Sequence, residues 1–187
     1  MLLRRFFNRE RKYLDDDLQL RRAQSQADAL ALERSPPLEI LDIGLGSGHF
    51  LAICQKLGHR CVGLDQTGAS NFIKEIRASL GVTNVIEHTI EPLKPFPPMG
   101  RFDLITCYRC RFYFIGKAKR LWNEQEWVFF LNDIRDHLLK PNGRFVLHAP
   151  PTKRAKWEAQ FSPAIAKLLH DRGGRAAGNI LMFAPLL

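Results

Sequence analysis

Cysteine is scarce in this chain: Cys54, Cys61, Cys107 and Cys110 are the only four among 187 residues. Four scattered thiols cannot frame a disulfide scaffold, and they suit a reduced protein of the cytoplasm. Long apolar runs are missing too. The opening MLLRRFFNRERKY is basic and interrupted, so neither a secretory signal nor a membrane-spanning helix is expected. Acid is in deficit, with 19 Asp+Glu against 28 Lys+Arg, a formal charge of +9 and a pI near 9.7. That imbalance favours acidic partners or substrates without naming one. No internal repeat, low-complexity tract or second globular domain is evident. With 45% hydrophobic and 25% charged residues, a chain of this length can bury one full core.

What is present alternates. Leu20, Ala23, Ala27, Leu30 and Ala31 fall at helical spacing within about 12–34, and Ser35-Pro36-Pro37 ends that helix. The chain thus divides into a basic N-terminal arm and helix, 1–37, and a domain, 38–187. In the domain, LEILDIG reads as a buried strand, GSGHFLAICQKLGH as a helix closing at Gly58, and RCVGLD as a second strand. A helix with Phe72, Ile73, Ile76 and Leu80 on one face, terminated by Gly81, leads to the short strand TNVIEHTIE. Prolines 92, 95, 97 and 98 make a loop before the strand RFDLITCY. Asn123 and Glu126 resemble a capping box for a helix carrying Trp127, Phe130, Leu131, Ile134 and Leu138. In LLKPNG, Asn142-Gly143 is expected to supply a left-handed turn. The strand GRFVLHA, a helix capped by Ser162 with Pro163 at its first position, and one last strand near NILMFA complete the series. Strands alternating with helices predict an α/β fold, a Rossmann-like, doubly wound, mostly parallel sheet of six to seven strands with helices on both faces.

Ligands of such sheets bind beyond the carboxyl ends of the strands, where LDIGLGSGHF lies. Gly44, Gly46 and Gly48 are spaced G-x-G-x-G, whereas the dinucleotide fingerprint needs a third glycine at the position of His49. Asp42 would repel a pyrophosphate and attract a ligand bearing an ammonium and a sulfonium. Asp65, at the end of the second strand, stands where a carboxylate accepts hydrogen bonds from ribose hydroxyls.

LEILDIGLGSG with VGLD, FDLITCY and LLKPNGRFVL, in this order over about 38–147, resembles the class I S-adenosylmethionine-dependent methyltransferases. The resemblance implies that Asp42, Gly44, Gly46 and Gly48 flank the methionine part of S-adenosyl-L-methionine and that Asp65 binds its ribose. Gln66 would lie beside the adenine, and Thr89, Ile90 and Glu91 would border it. Cys107 and Tyr108, after the fourth strand, would face cofactor and acceptor. Asp103 is expected to hold a strand entrance.

Methyl transfer is an in-line displacement in which positioning does much of the work, so no conspicuous catalytic residue is required. The candidate bases are His148 and Tyr108, with Tyr113 read as packing. No Asn/Asp-Pro-Pro-Tyr stretch follows the fourth strand, which argues against the amino-methylating enzymes that resemblance would suggest. Cys107-x-x-Cys110 lacks the matching ligands of a zinc site, and no metal is expected. Arg109, Arg111, Lys117, Lys119 and Arg120 follow the fourth strand and Lys153, Arg154 and Lys156 the fifth; converging, they favour a phosphorylated, carboxylated or nucleotide-linked acceptor or nucleic acid, and a small, anionic acceptor is expected. Two alternatives stay open: RNA or another macromolecule as acceptor, and a nucleoside-binding module without catalysis. The usual sheet of this family ends in two further strands, but only one can be placed after KLLHDRGG. The arm, with Phe6, Phe7 and Tyr13 among Arg4, Arg5, Arg9, Arg11 and Lys12, would cover the cofactor or touch phosphate.

Overall fold

The computed structural model describes residues 15–115, 120–148 and 161–187. The readings made on the arm before residue 15, on Lys117 and Lys119, and on Lys153, Arg154 and Lys156 lie outside the described residues.

The described residues begin with helix α1 (Asp16–Ala29), whose N-cap Asp15 accepts a hydrogen bond from the Leu18 amide at 2.9 Å. It stops earlier than the prolines require, because Ala31 turns left-handed (φ 54°) before the short 3₁₀ turn Leu32–Arg34. Ala23, Ala27 and Leu30 recur at i, i+4 and i+7 and bury against α2 (His49–Lys56). Helix α1 therefore shares one core with the domain that follows it.

The central sheet takes β1 (Glu39–Ile43), β2 (Arg60–Asp65) and β3 (Val85–Glu87) on one side and β4 (Phe102–Tyr108) and β7 (Leu139–His148) on the other. Its order is β3-β2-β1-β4-β7-β9-β8, seven strands, with β9 (Ile180–Phe183) antiparallel to β7 and to β8 (Gly174–Ala177). The five parallel strands carry near-continuous apolar runs because helices α2 and α3 (Asn71–Ser79) on one side, with α4 (Glu124–Asp133) and α5 (Pro163–Asp171), flank them. A small antiparallel pair, β5 (Phe114–Ile115) and β6 (Arg120–Leu121), stands beyond β4. Strand direction reverses its walk between β1 and β4, which places the switch point of the sheet beside the glycine run.

The second of the two final strands is β8. GRAA has no apolar alternation because it lies at the sheet edge with three of its four residues exposed. The two-residue Gly178-Asn179 connection to β9, with Gly178 at φ 62°, was the signal available in the sequence.

The expected capping box forms, with the Glu126 amide donating to Asn123 Oδ1 at 3.0 Å and the Asn123 amide to Glu126 Oε2 at 2.7 Å. Ser162 caps α5 with Pro163 in its first turn. Trp122, Trp127 and Tyr113 are buried in one aromatic cluster with Phe112, Phe130 and Phe161.

Gly143 is not left-handed. It sits where β7 bulges between its pairings Phe102↔Leu139 and Leu104↔Arg144, and a Cβ there would come within 2.9 Å of the Phe102 carbonyl oxygen. The glycine is needed for closeness, not for handedness. Asp103 does hold a strand entrance: its Oδ2 accepts the Glu39 amide at 2.8 Å and Lys140 Nζ at 2.9 Å.

Candidate functional site

Strand β1 delivers the chain to the switch point and the glycines turn it into α2. Gly44, Gly46 and Gly48 have φ of 72°, 57° and 86°, and Gly48 is the residue before the first turn of α2. At Gly44 space as well as handedness excludes a side chain, since a Cβ would lie 2.2 Å from Cys110 Sγ. The Gly44 amide donates to the Leu64 carbonyl at 2.6 Å, holding the loop over the end of β2.

Asp42 lies beneath this loop, 5% exposed, and accepts a hydrogen bond from the Thr106 hydroxyl at 2.7 Å. Burial pushes its carboxyl up to about 7, against the smaller lowering effect of Thr106. A cationic group arriving at the loop would favour the ionised form.

Asp65 ends β2 half a turn of chain away. Its Oδ1 accepts the Gln66 amide at 2.9 Å, its Oδ2 accepts Arg77 Nη2, and its carbonyl accepts the His88 amide at 2.8 Å. The Thr67 and Thr89 hydroxyls meet at 3.0 Å, so the chain after β3 is stitched to the chain after β2. Gln66 is exposed at this rim, and Ile90 is half-buried against the core beside it. Glu91 faces solvent and pairs with Lys94 at 2.9 Å.

His49, where a dinucleotide loop would need glycine, is buried and bridges two segments. Its Nδ1 lies 2.9 Å from Ser47 Oγ and its Nε2 2.7 Å from Asp16 Oδ1. An imidazole protonated on Nε2 satisfies both contacts and ties α1 to the glycine loop.

Two sequence expectations are redistributed at the end of β4. Cys107 is fully buried in the core, where burial drives its thiol well above its ordinary range, and it does not line the cleft described below. Cys110 takes the position beside the loop, its Sγ donating to the Ile43 carbonyl at 3.1 Å. Helices cover both faces of the sheet, so Cys107 is buried along with Leu104, Ile105 and Thr106, and only the turn that follows brings Cys110 beside β1.

Tyr108 and His148 do come together. They are register partners on β4 and β7, with stacked rings 5.6 Å apart. Tyr108 Oη and His148 Nδ1 are buried with no hydrogen-bond partner among the described residues. Burial raises the Tyr108 phenol, so it stays protonated, while burial and then the Arg109 charge hold His148 below its ordinary value, so it is neutral near pH 7.

Beside this pair a cleft of about 360 Å³ runs between α1 and the carboxyl ends of β4 and β7, with Arg21, Arg22 and Arg109 in its walls. Arg22, Ser25, Gln26 and Ala29 are spaced i, i+3, i+4, i+7, one stripe of α1 turned toward the cleft. Arg109 adopts a left-handed conformation (φ 59°) just past β4. Of the basic residues singled out in the sequence, Arg120 is taken by Glu126 through contacts of 2.7 and 2.8 Å. Arg21 and Arg22 were not foreseen; their helical spacing beside Ala23 and Ala27 was the available clue.

Three left-handed glycines over a buried carboxyl, Asp42, and a second acid, Asp65, at the next strand end fit a nucleoside carrying a cationic amino-acid tail. On the sheet order above, these define a class I S-adenosylmethionine-dependent methyltransferase fold. Residues 41–147 match the sequence profile of the methyltransferase domain, and the chain belongs to that family. It is 31% identical over 117 residues to the probable methyltransferase PMT7 of Arabidopsis thaliana, a match covering 62% of this chain and 18% of that protein. The chain thus spans less than a fifth of the curated relative's length. Its fold is similar to the 1,6-didemethyltoxoflavin-N1-methyltransferase of Burkholderia thailandensis, solved with 1,6-didemethyltoxoflavin and S-adenosylhomocysteine bound, with TM-score 0.58, 18% identity, and coverage of 94% of this chain and 82% of that one. A SAM-dependent methyltransferase from Aquifex aeolicus aligns with TM-score 0.52 and 18% identity over 83% of this chain and 87% of that one. No helix of the described residues is long and apolar enough to cross a membrane.

Proposed function

We propose that this chain transfers the methyl group of S-adenosylmethionine to a small, anionic acceptor bound in the cleft under α1. The observation that carries this reading is the cleft itself: about 360 Å³, bordered by Arg21, Arg22 and Arg109, and adjoining the unpartnered Tyr108 and His148. That volume lies at the low end of small-ligand sites, and three guanidiniums suit a carboxylate or phosphate. A small-molecule acceptor also agrees with the 1,6-didemethyltoxoflavin bound to the Burkholderia enzyme.

S-Adenosylmethionine, when bound, supplies a methyl already activated by a positive sulfur. The chain's own residues hold and orient. Asp42 and the glycine loop are assigned to the methionine portion, Asp65 to the ribose hydroxyls, and Gln66 and Ile90 to the adenine rim. Arg22 and Arg109 fix the acceptor's anion, which turns a bimolecular encounter into a positioned one. Neutral His148 offers Nδ1 to receive the acceptor's proton, and protonated Tyr108 donates a hydrogen bond beside it. We place the protein in the cytoplasm, a reading supported by its four free thiols.

The test is release of S-adenosylhomocysteine from S-adenosylmethionine in the presence of a panel of small carboxylates and phosphates. Turnover that drops about tenfold or more in Arg22→Ala and Arg109→Ala is expected. Cofactor binding with no turnover on any acceptor would replace this reading with a nucleoside-binding module, and salt-steep binding and methylation of RNA would replace the small acceptor.

A further inference from the structure

Arg77 lies on α3, outside every segment read as cofactor-binding, and it is 4% exposed. A guanidinium buried this deeply is costly unless its donors are met. Here the candidate cofactor site meets them: Nε donates to the Gly46 carbonyl at 2.7 Å and Nη2 donates to Asp65 Oδ2. The stem packs under the same loop, since a Cβ on Gly48 would lie 3.4 Å from Arg77 Cγ. The Arg77 carbonyl accepts the Val82 amide at 2.8 Å and fixes the end of the helix that carries it.

We propose that Arg77 is a positioning residue for S-adenosylmethionine, a clip that sets the ribose acid and the glycine loop at a fixed distance and orientation from each other. The inference rests on the assignment of Gly44 to Gly48 and Asp65 as cofactor residues. A carboxylate offers about four acceptor directions, two on each oxygen. The Gln66 amide uses one on Oδ1 and Arg77 uses one on Oδ2, so one remains on each oxygen, which is what two neighbouring ribose hydroxyls need. Without the guanidinium the carboxylate is held by the Gln66 amide on Oδ1 alone and the Gly46 carbonyl loses its donor. The fork of arginine reaches two divergent acceptors, and an ammonium at the same place reaches one.

The experiment is calorimetric titration of S-adenosylhomocysteine into the wild type, Arg77→Lys, Arg77→Gln, Asp65→Asn and the Asp65→Asn/Arg77→Gln double variant, with a thermal midpoint for each. Arg77→Lys keeps the charge and guards against a variant that fails to fold. We expect affinity to fall by roughly tenfold in Arg77→Lys and further in Arg77→Gln. The double variant should lose less than the product of the two single losses, because Arg77 acts through Asp65. A purely structural arginine would lower the thermal midpoint yet leave the folded protein's affinity within about twofold of wild type, or would give losses that multiply; either result overturns the inference. Failure of the folded wild type to bind S-adenosylhomocysteine would overturn the cofactor assignment and this inference with it.

Discussion

The two sides of the switch point are built differently. On the β1–β2 side, polar groups are already spoken for: Asp65 holds Arg77 and the Gln66 amide, Arg77 holds Gly46, and His49 holds Ser47 and Asp16. On the β4–β7 side, Tyr108 Oη and His148 Nδ1 are buried without partners and Arg109 adopts a conformation that non-glycine residues rarely use. A buried polar atom without a partner is expensive and calls for an explanation. Under the proposed function, the satisfied side would take the cofactor, a ligand of fixed shape, and the unsatisfied side would take the acceptor.

The largest effect expected from breaking this contrast is at Gly44. Gly44→Ala places a methyl at a left-handed φ and against Cys110 Sγ, and should lower S-adenosylhomocysteine affinity on the order of a hundredfold by calorimetry. Adding Cys110→Ala should recover part of that loss; no recovery would mean that Cys110 is not the obstacle.

Next in size is a pH dependence set by Asp42. Its folded value of about 7 lies above the ordinary 3.8, so the native state holds the proton more tightly than the unfolded chain. The resulting stability is fully present below the ordinary value and is lost as pH rises through about 7. Binding of a ligand ammonium has the opposite sign, strengthening up to tenfold per unit as pH rises toward about 7 and levelling above it. Asp42→Asn should flatten both curves, which thermal melts and titrations across that window would record.

On the acceptor side, His148→Asn should lower kcat by about a hundredfold with S-adenosylhomocysteine affinity unchanged. In the wild type the rate should reach half its maximum below the ordinary histidine value, because burial and then the Arg109 charge hold His148 below it. A parallel loss of cofactor affinity would erase the distinction between the two sides. The smallest effect belongs to Glu91: exposed and paired with Lys94, it should change cofactor affinity by less than about twofold when replaced by glutamine.

Much of this was legible along the chain. The strands β1, β2, β4, β7 and β9 are apolar runs bounded by glycine, proline or charge, and burial on two faces leaves that signature. Strand β8 was not, because an exposed edge strand has no face to pattern. Gly143 misled because a glycine needed for lack of a side chain looks identical to one needed for a positive φ. In the candidate site, residues that lie within their own loop or strand end, such as Asp42, Gly44 and Asp65, could be placed from spacing. Arg77, Arg22 and Cys110 reach across from other elements, and no local pattern encodes reach. The reverse case is Cys107, a polar-looking strand end that burial on both faces of the sheet places in the core.

Under the proposed function, the glycine run and Asp65 hold S-adenosylmethionine. The decisive experiment is calorimetric titration of the folded protein with S-adenosylhomocysteine and with NADH, repeated on Asp65→Ala. Binding of the first should weaken at least tenfold in the variant, with no comparable binding of NADH. Silence toward S-adenosylhomocysteine, or preference for NADH, would contradict it.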